Sequence, residues 1–124
     1  MKKEQLPEAI RAYHTTRDRY RGTPAEAKFL PEMMLRGGIC YQRSGLSLEA
    51  YLLFFELGEK FPQFKDAPGA LGGAVEEGCK VWLATKAPWA EQLAQQALDK
   101  LQQEHPDSPT TAGAHKGFLQ AQQR

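Results

Sequence analysis

The sequence predicts an all-α protein, and three observations lead to that prediction. Residues that favour strands are sparse, since valine occurs only at Val75 and Val81 and isoleucine only at Ile10 and Ile39. Helix formers such as Ala, Leu, Gln, Glu and Lys fill every long segment. Breaks that contain proline or glycine divide the chain into helix-sized segments. We therefore expect about six antiparallel helices in a single domain spanning 1–124.

Turn and capping residues set the expected ends of these helices. Gly45 should end the second helix and Ser47 should cap the third. In the fourth segment an apolar face is expected, because Leu71, Val75, Cys79, Trp82 and Lys86 recur three or four residues apart. The helices are expected at about 5–21, 25–44, 47–60, 68–86, 89–104 and 110–122.

Size and charge exclude several classes of protein. A chain of 124 residues and 13.9 kDa can bury one core. Its formal charge of +1 argues against nucleic acid as the partner, and no apolar run reaches the ~20 residues of a membrane span. Residues 1–5 lack the apolar core of a signal peptide, and Cys40 and Cys79 form no CxxC pair. We expect a cytoplasmic protein without direct membrane insertion, or a periplasmic one if an export signal has been removed.

Side chains suited to catalysis or metal binding are not grouped in the sequence. The histidines, His14, His105 and His115, have neither helical pairing nor metal spacing to a cysteine. The segment 73–80 approaches the phosphate-loop pattern GxxxxGK[ST], but Cys79 stands where the lysine should be. We expect no enzyme activity, no cofactor and no metal.

The fourth predicted helix is unusually rich in glycine. Each glycine in a helix costs up to ~1 kcal/mol relative to alanine. Three explanations are open: close packing of helices, close approach of a partner, or fraying around 68–73. The residues concerned are Gly69, Gly72, Gly73 and Gly78.

Three breaks in the chain share one arrangement, which indicates an internal repeat. Each ends in proline, with an alanine twelve residues upstream and a residue of the helix face eight residues upstream. The prolines are Pro24, Pro62 and Pro106, and the alanines are Ala12, Ala50 and Ala94. The residues eight positions before the prolines are Thr16, Phe54 and Leu98.

The central copy carries the clearest signature. Its spacing resembles that of the tetratricopeptide repeat (TPR) family at Gly38, Tyr41, Gly45, Glu49, Ala50, Phe54 and Pro62. The resemblance implies that Gly38 and Ala50 are small because helices A and B cross there, and that Tyr41 and Phe54 fill the space between hairpins.

The resemblance implies a TPR-like α-solenoid. Its parts would be a half repeat 5–24, a repeat 31–64, an extended repeat 67–108 and a capping helix 110–122. The prolines lie 38 and 44 residues apart, against a standard period of about 34. Extended A helices of this kind are similar to those in the TPR modules of bacterial envelope-assembly and division-coordination proteins.

The resemblance also implies a partner groove on the concave face, lined by the A helices. Leu35 and Ile39 replace the Lys and Asn of the family's peptide-carboxylate clamp, so that clamp is not expected. Alternatively, these two residues pack against the first helix. The family's ligand-contact positions correspond to Leu35, Ile39, Gln42 and Arg43, and in the next repeat to Gly69, Gly73, Glu76 and Glu77.

Two functions are consistent with this scaffold. The preferred one is a non-enzymatic protein–protein interaction adaptor that binds a peptide or helix segment of a partner in the groove. The alternative is a small structural subunit of a larger multiprotein assembly, packed through its helix faces as a homodimer or larger complex. Fewer than three full repeats are marginal alone, and the missing first A helix would expose a face of helix 5–21.

Overall fold

The computed structural model describes residues 6–124, which form six α-helices and no strand. The all-α class and the number of helices are confirmed. Every predicted helix end in the described part falls within one residue of the observed end, while the predicted start at residue 5 lies outside it. The helices are α1 (Leu6–Tyr20), α2 (Pro24–Arg43), α3 (Ser47–Lys60), α4 (Ala67–Thr85), α5 (Pro88–Glu104) and α6 (Pro109–Gln122).

Proline and glycine mark the helix boundaries. Pro24, Pro88 and Pro109 are each the first residue of a helix, where proline's missing N–H leaves no bond unmade. Gly45 follows α2 with φ +78°, a left-handed conformation that glycine adopts without a steric penalty. The prediction that Ser47 caps α3 is wrong, because Leu46 holds the cap position without a side-chain hydrogen bond.

Each helix packs against the next one along the chain, and α4 also packs against α6. The short connections 21–23, 44–46 and 86–87 favour antiparallel packing of the helices that each of them joins. Within residues 6–124, none of the helices combines the length with the apolar composition that crossing a bilayer requires.

Phe54 of α3 joins the two central hairpins. A Cβ placed on Gly38 would come within 3.0 Å of three atoms on one edge of its ring, and one placed on Gly73 would lie 3.0 Å from the opposite edge. The nearest neighbours of Gly38 are therefore atoms of Phe54 on α3, which is the expected helix B of this repeat. The ring spaces α2 from α4, which have little direct contact with each other.

The apolar face predicted for the fourth helix is present over most of its length. Leu71, Val75 and Cys79 are buried and Trp82 is half-buried against Phe118 of α6, with ring centroids 6.3 Å apart. Lys86 was expected on the same face, and that is wrong. Its φ of +59° ends α4, and its side chain is exposed.

The residues twelve and eight positions before the repeated proline are buried in the second and third copies and not in the first. Ala50 and Ala94 are fully buried, and Phe54 and Leu98 nearly so. Ala12 is exposed, because α1 packs against α2 alone and no preceding helix covers it in the described part of the chain.

Candidate functional site

A groove of about 870 Å³ runs between α2, α4 and α6. Behind it lies the ring of Phe54, whereas α1 and α5 contribute nothing to its lining. Its walls consist of Leu35, Ile39 and Gln42 from α2, of Gly69, Gly72, Gly73, Val75, Glu76, Cys79, Lys80 and Leu83 from α4, and of Thr110, Gly113, Ala114, Gly117, Gln120 and Ala121 from α6, with Asp66 and Arg124 at its rim.

The structure brings most of the sequence-predicted site residues to this groove. They are Leu35, Ile39, Gln42, Gly69, Gly73 and Glu76. Two others are placed elsewhere: Arg43 is exposed outside the groove, and Glu77 is completely buried behind its wall. That these residues bind a partner stays a prediction.

Packing of α2 against α1 does not use the groove residues. A Cβ on Gly37 would lie 3.3 Å from Ile10 Cδ1, so α1 meets α2 at Gly37. Leu35 and Ile39 are half-buried at the edge of the core and line the groove. The sequence left open whether these side chains line a groove or pack against the first helix. The structure places them on the groove side of α2.

Helix α6 supplies a wall of the groove that the sequence analysis did not assign to the site. Gly113 and Gly117 lie four residues apart, and therefore on one face of the helix. Both line the groove together with Gln120. This pair of glycines was the available signal, and it was missed because the segment had been assigned only a capping role.

The glycines of α4 and α6 fall into two groups. Gly73 packs against Phe54, a Cβ on Gly72 would lie 2.5 Å from Thr110 Cγ2, and one on Gly78 would lie 3.1 Å from the Ala94 backbone, so close packing explains these three. Gly69, Gly113 and Gly117 would have no atom within 4 Å of an added Cβ. Fraying does not explain Gly69 either, since α4 begins at Ala67.

Glu77 is a charged side chain inside the protein, with an exposed fraction of 0%. Its Oε2 accepts a hydrogen bond from Gln42 Nε2 at 3.3 Å and pairs with Lys80 Nζ at 2.9 Å. Its Oε1 is buried with no hydrogen-bond partner. An unpaired buried carboxylate oxygen is costly, so this group is only half satisfied.

Lys80 stands at the groove surface and joins two carboxylates. Its Nζ lies 2.9 Å from Glu77 Oε2 and 3.6 Å from Glu76 Oε1. The hydrogen bond to Glu77, with the charges of both glutamates, raises the pKa of Lys80 above its usual value. Two carboxylates and one ammonium therefore leave this wall with a surplus of one negative charge.

The groove contains one thiol, that of Cys79. Burial is the main reason that its pKa is raised to about 11, and Glu76 contributes to the same effect. A thiol of this kind stays protonated near neutral pH, and the thiolate is the nucleophilic form. Within residues 6–124, no three His, Cys, Asp or Glu side chains come together as a metal site would need. Chemically, the groove offers an apolar floor, bare helix backbone and one acidic wall.

Comparisons with protein families, with curated proteins and with solved structures found no match for this chain.

Proposed function

We propose that this protein is a non-enzymatic adaptor which binds a helical segment of a partner protein in the groove between α2, α4 and α6. One observation carries the proposal: a largely apolar groove whose walls come from three helices, α2, α4 and α6. Amphipathic helices are recognised in grooves of this type through their apolar face.

A TPR-like solenoid is the finer architecture that we propose for the chain. The alternate helices α2, α4 and α6 share the groove while α1 and α5 do not, as expected when the A helices of stacked hairpins line a concave face. Phe54 between Gly38 and Gly73 also supports it, since a TPR uses an aromatic side chain there to separate successive hairpins.

Binding without catalysis is supported by the chemistry of the groove. The thiol of Cys79 is buried, and its pKa is raised to about 11. Glu76 and Glu77 both pair with Lys80. The apolar walls suit burial of a partner's side chains.

The structural-subunit alternative has less support. The exposed side chains of α1 are polar or small, and none of the large exposed apolar side chains of the described residues belongs to it. On α3, Leu52 is 56% exposed, but it lies among Glu49, Glu56 and Glu59. A lone leucine among glutamates is ordinary solvated surface, unlike a permanent interface.

The test is selection of binders from a displayed library of 18-residue helix-forming peptides, with titration of the recovered peptides by fluorescence anisotropy. Gly117→Leu places a bulky side chain in the open groove, because nothing lies within 4 Å of an added Cβ. We expect it to weaken binding at least tenfold. The matched control is Leu52→Ala on α3, which should leave affinity unchanged.

Three results would contradict the adaptor function. One is failure to recover any binder, and another is recovery of peptides whose affinity is unaffected by Gly117→Leu. The third is a stable oligomer, seen by light scattering after size-exclusion chromatography, that Leu52→Ala dissociates, which would favour the structural-subunit function. The groove hypothesis expects a monomer near 13.9 kDa.

A further inference from the structure

The three open glycines have a property that the internal packing of the protein does not explain. Gly69 lies on α4, and Gly113 and Gly117 lie on α6, all three lining the groove with no atom within 4 Å of an added Cβ. Alanine would fit at each position and would favour the helix. What glycine provides instead is bare backbone, against which a second helix can approach closely.

A second, independent feature of the same groove is the unsatisfied carboxylate of Glu77. Its Oε1 has no partner, although the side chain is fully buried. Gln42 and Lys80 contact its other oxygen, Oε2, and both line the groove. Glu77 therefore lies behind the part of the groove wall that these two side chains form.

One of the two contacts to the Glu77 carboxylate, the hydrogen bond from Gln42, is weak. The Gln42 amide donates at 3.3 Å, near the long limit of a hydrogen bond, and Gln42 is half-buried at the groove surface. Rotation of its side chain would open a route to the carboxylate. Lys80 would stay in place, because it also pairs with Glu76.

The charge at this wall selects the kind of group that would enter. Glu76, Glu77 and Lys80 together carry one surplus negative charge, and in the described residues both carboxylates rely on the same ammonium. Asp66 and Arg124 also line the groove, and their opposite charges offset each other. A hydrogen bond from a cationic group to a carboxylate is charge-assisted, and such bonds are stronger than hydrogen bonds between neutral groups.

We propose that the segment bound in this groove is an apolar helix with small residues on its contact face and one Lys or Arg, whose cationic group replaces the Gln42 amide at the Glu77 carboxylate. The proposal rests on the adaptor function and names the chemistry of its partner. The open glycines receive the backbone of that helix, and the Glu76–Glu77–Lys80 wall, which we call the acidic wall, receives its cation.

The experiment uses the same displayed library of 18-residue peptides, selected in parallel on the wild-type protein and on Glu77→Gln. On the wild type we expect enrichment of a single Lys or Arg within an apolar stripe. On Glu77→Gln this preference should be lost, and a peptide selected on the wild type should bind that variant at least tenfold more weakly. Glu49→Gln, an exposed site on α3, is the matched control and should change nothing.

A reciprocal measurement keeps the test independent of the folding of the variant. Replacing the enriched Lys or Arg of the peptide by Gln should weaken binding to the wild-type protein by a similar factor. It should have little effect on binding to Glu77→Gln, because the two changes remove the same interaction. Helix content by circular dichroism shows whether Glu77→Gln is folded.

The outcomes separate this proposal from the adaptor function. If the selected peptides no longer bind Gly117→Leu but are not enriched in Lys or Arg, the proposal is overturned and the adaptor function stays in place. Peptides unaffected by Gly117→Leu would overturn both. A dimer in light scattering that Gly117→Leu dissociates would place a second copy in the groove, and this also would overturn the proposal.

Discussion

One edge of the Phe54 ring lies against the backbone of Gly38, and a Cβ on that glycine would come within 3.0 Å of three ring atoms. The opposite edge of the ring lies beside the backbone of Gly73, where an added Cβ would be 3.0 Å away, so the ring has little room to move away from Gly38. A side chain at either glycine would therefore push α2 and α4 apart, and the width of the groove depends on this spacing.

Gly38→Ala is expected to lower the free energy of unfolding by about 1–3 kcal/mol, the usual cost of overpacking a core. The measurement is urea denaturation followed by circular dichroism. Gly117→Ala is the matched control, because it adds the same methyl group to a helix at a site with open space. Equal stability of Gly38→Ala and the wild-type protein would show that Phe54 can move.

The double variant Gly113→Ala/Gly117→Ala is expected to have a free energy of unfolding about 1–2 kcal/mol higher than the wild type. Each substitution removes a helical glycine, and the added methyl group meets no other atom. The melting temperature should rise accordingly. If a helix packs against this backbone, as we propose, the same two methyl groups should weaken binding of the selected peptides. Destabilisation would mean that the two sites are not open.

Tyr51→Phe is expected to cost about 1 kcal/mol of stability. The Tyr51 hydroxyl donates a 2.7 Å hydrogen bond to the Leu93 carbonyl and so ties α3 to α5, and burial raises the pKa of Tyr51 to about 12. Tyr41→Phe is the control, because the side chain of Tyr41 makes no hydrogen bond within the described residues. Equal losses in the two variants would contradict a specific role for this bond.

Cys79 should make the stability of the protein sensitive to alkaline pH. Its pKa is raised from 9.0 to about 11, so the folded state holds the proton more tightly than the unfolded state does. Its contribution is complete below pH 9 and is lost as the pH rises towards 11. The loss should amount to about 2 kcal/mol.

Urea denaturation at pH 8, 9, 10 and 11 measures this effect. Cys79→Ala should be less stable than the wild type at pH 8 because it leaves a cavity, and the difference should shrink as the pH rises. A constant difference between the two proteins at every pH would contradict the burial of the Cys79 thiol.

Several features of the fold could be predicted from particular residues. Pro24, Pro88 and Pro109 mark helix starts through their fixed φ, and Gly45 marks a turn through its access to positive φ. These are local properties of single residues, so they can be recognised in a single sequence. Leu35, Ile39 and Gln42 were expected in the groove on a different ground, the resemblance to the TPR family, and the structure shows that they line it.

Other features depend on which helices meet. Gly73 and Gly117 are both helical glycines, yet one is packed against Phe54 and the other is open. Glu77 was expected at the edge of the groove and is fully buried. Lys80 is three residues away on the same helix, but Gln42, which also contacts the carboxylate, is 35 residues away in the chain, and no local pattern signals that it approaches Glu77.

The amino-acid sequence by itself determined the helical class, the number of helices and their ends, because propensity, capping and turn geometry act over a few neighbouring residues. Only the tertiary structure decided that α6 forms a wall of the groove beside α4, that Gly69, Gly113 and Gly117 are left open, and that Glu77 keeps one oxygen without a partner. These outcomes arise from contacts between residues far apart in the chain, where distance and burial are set by how the helices pack.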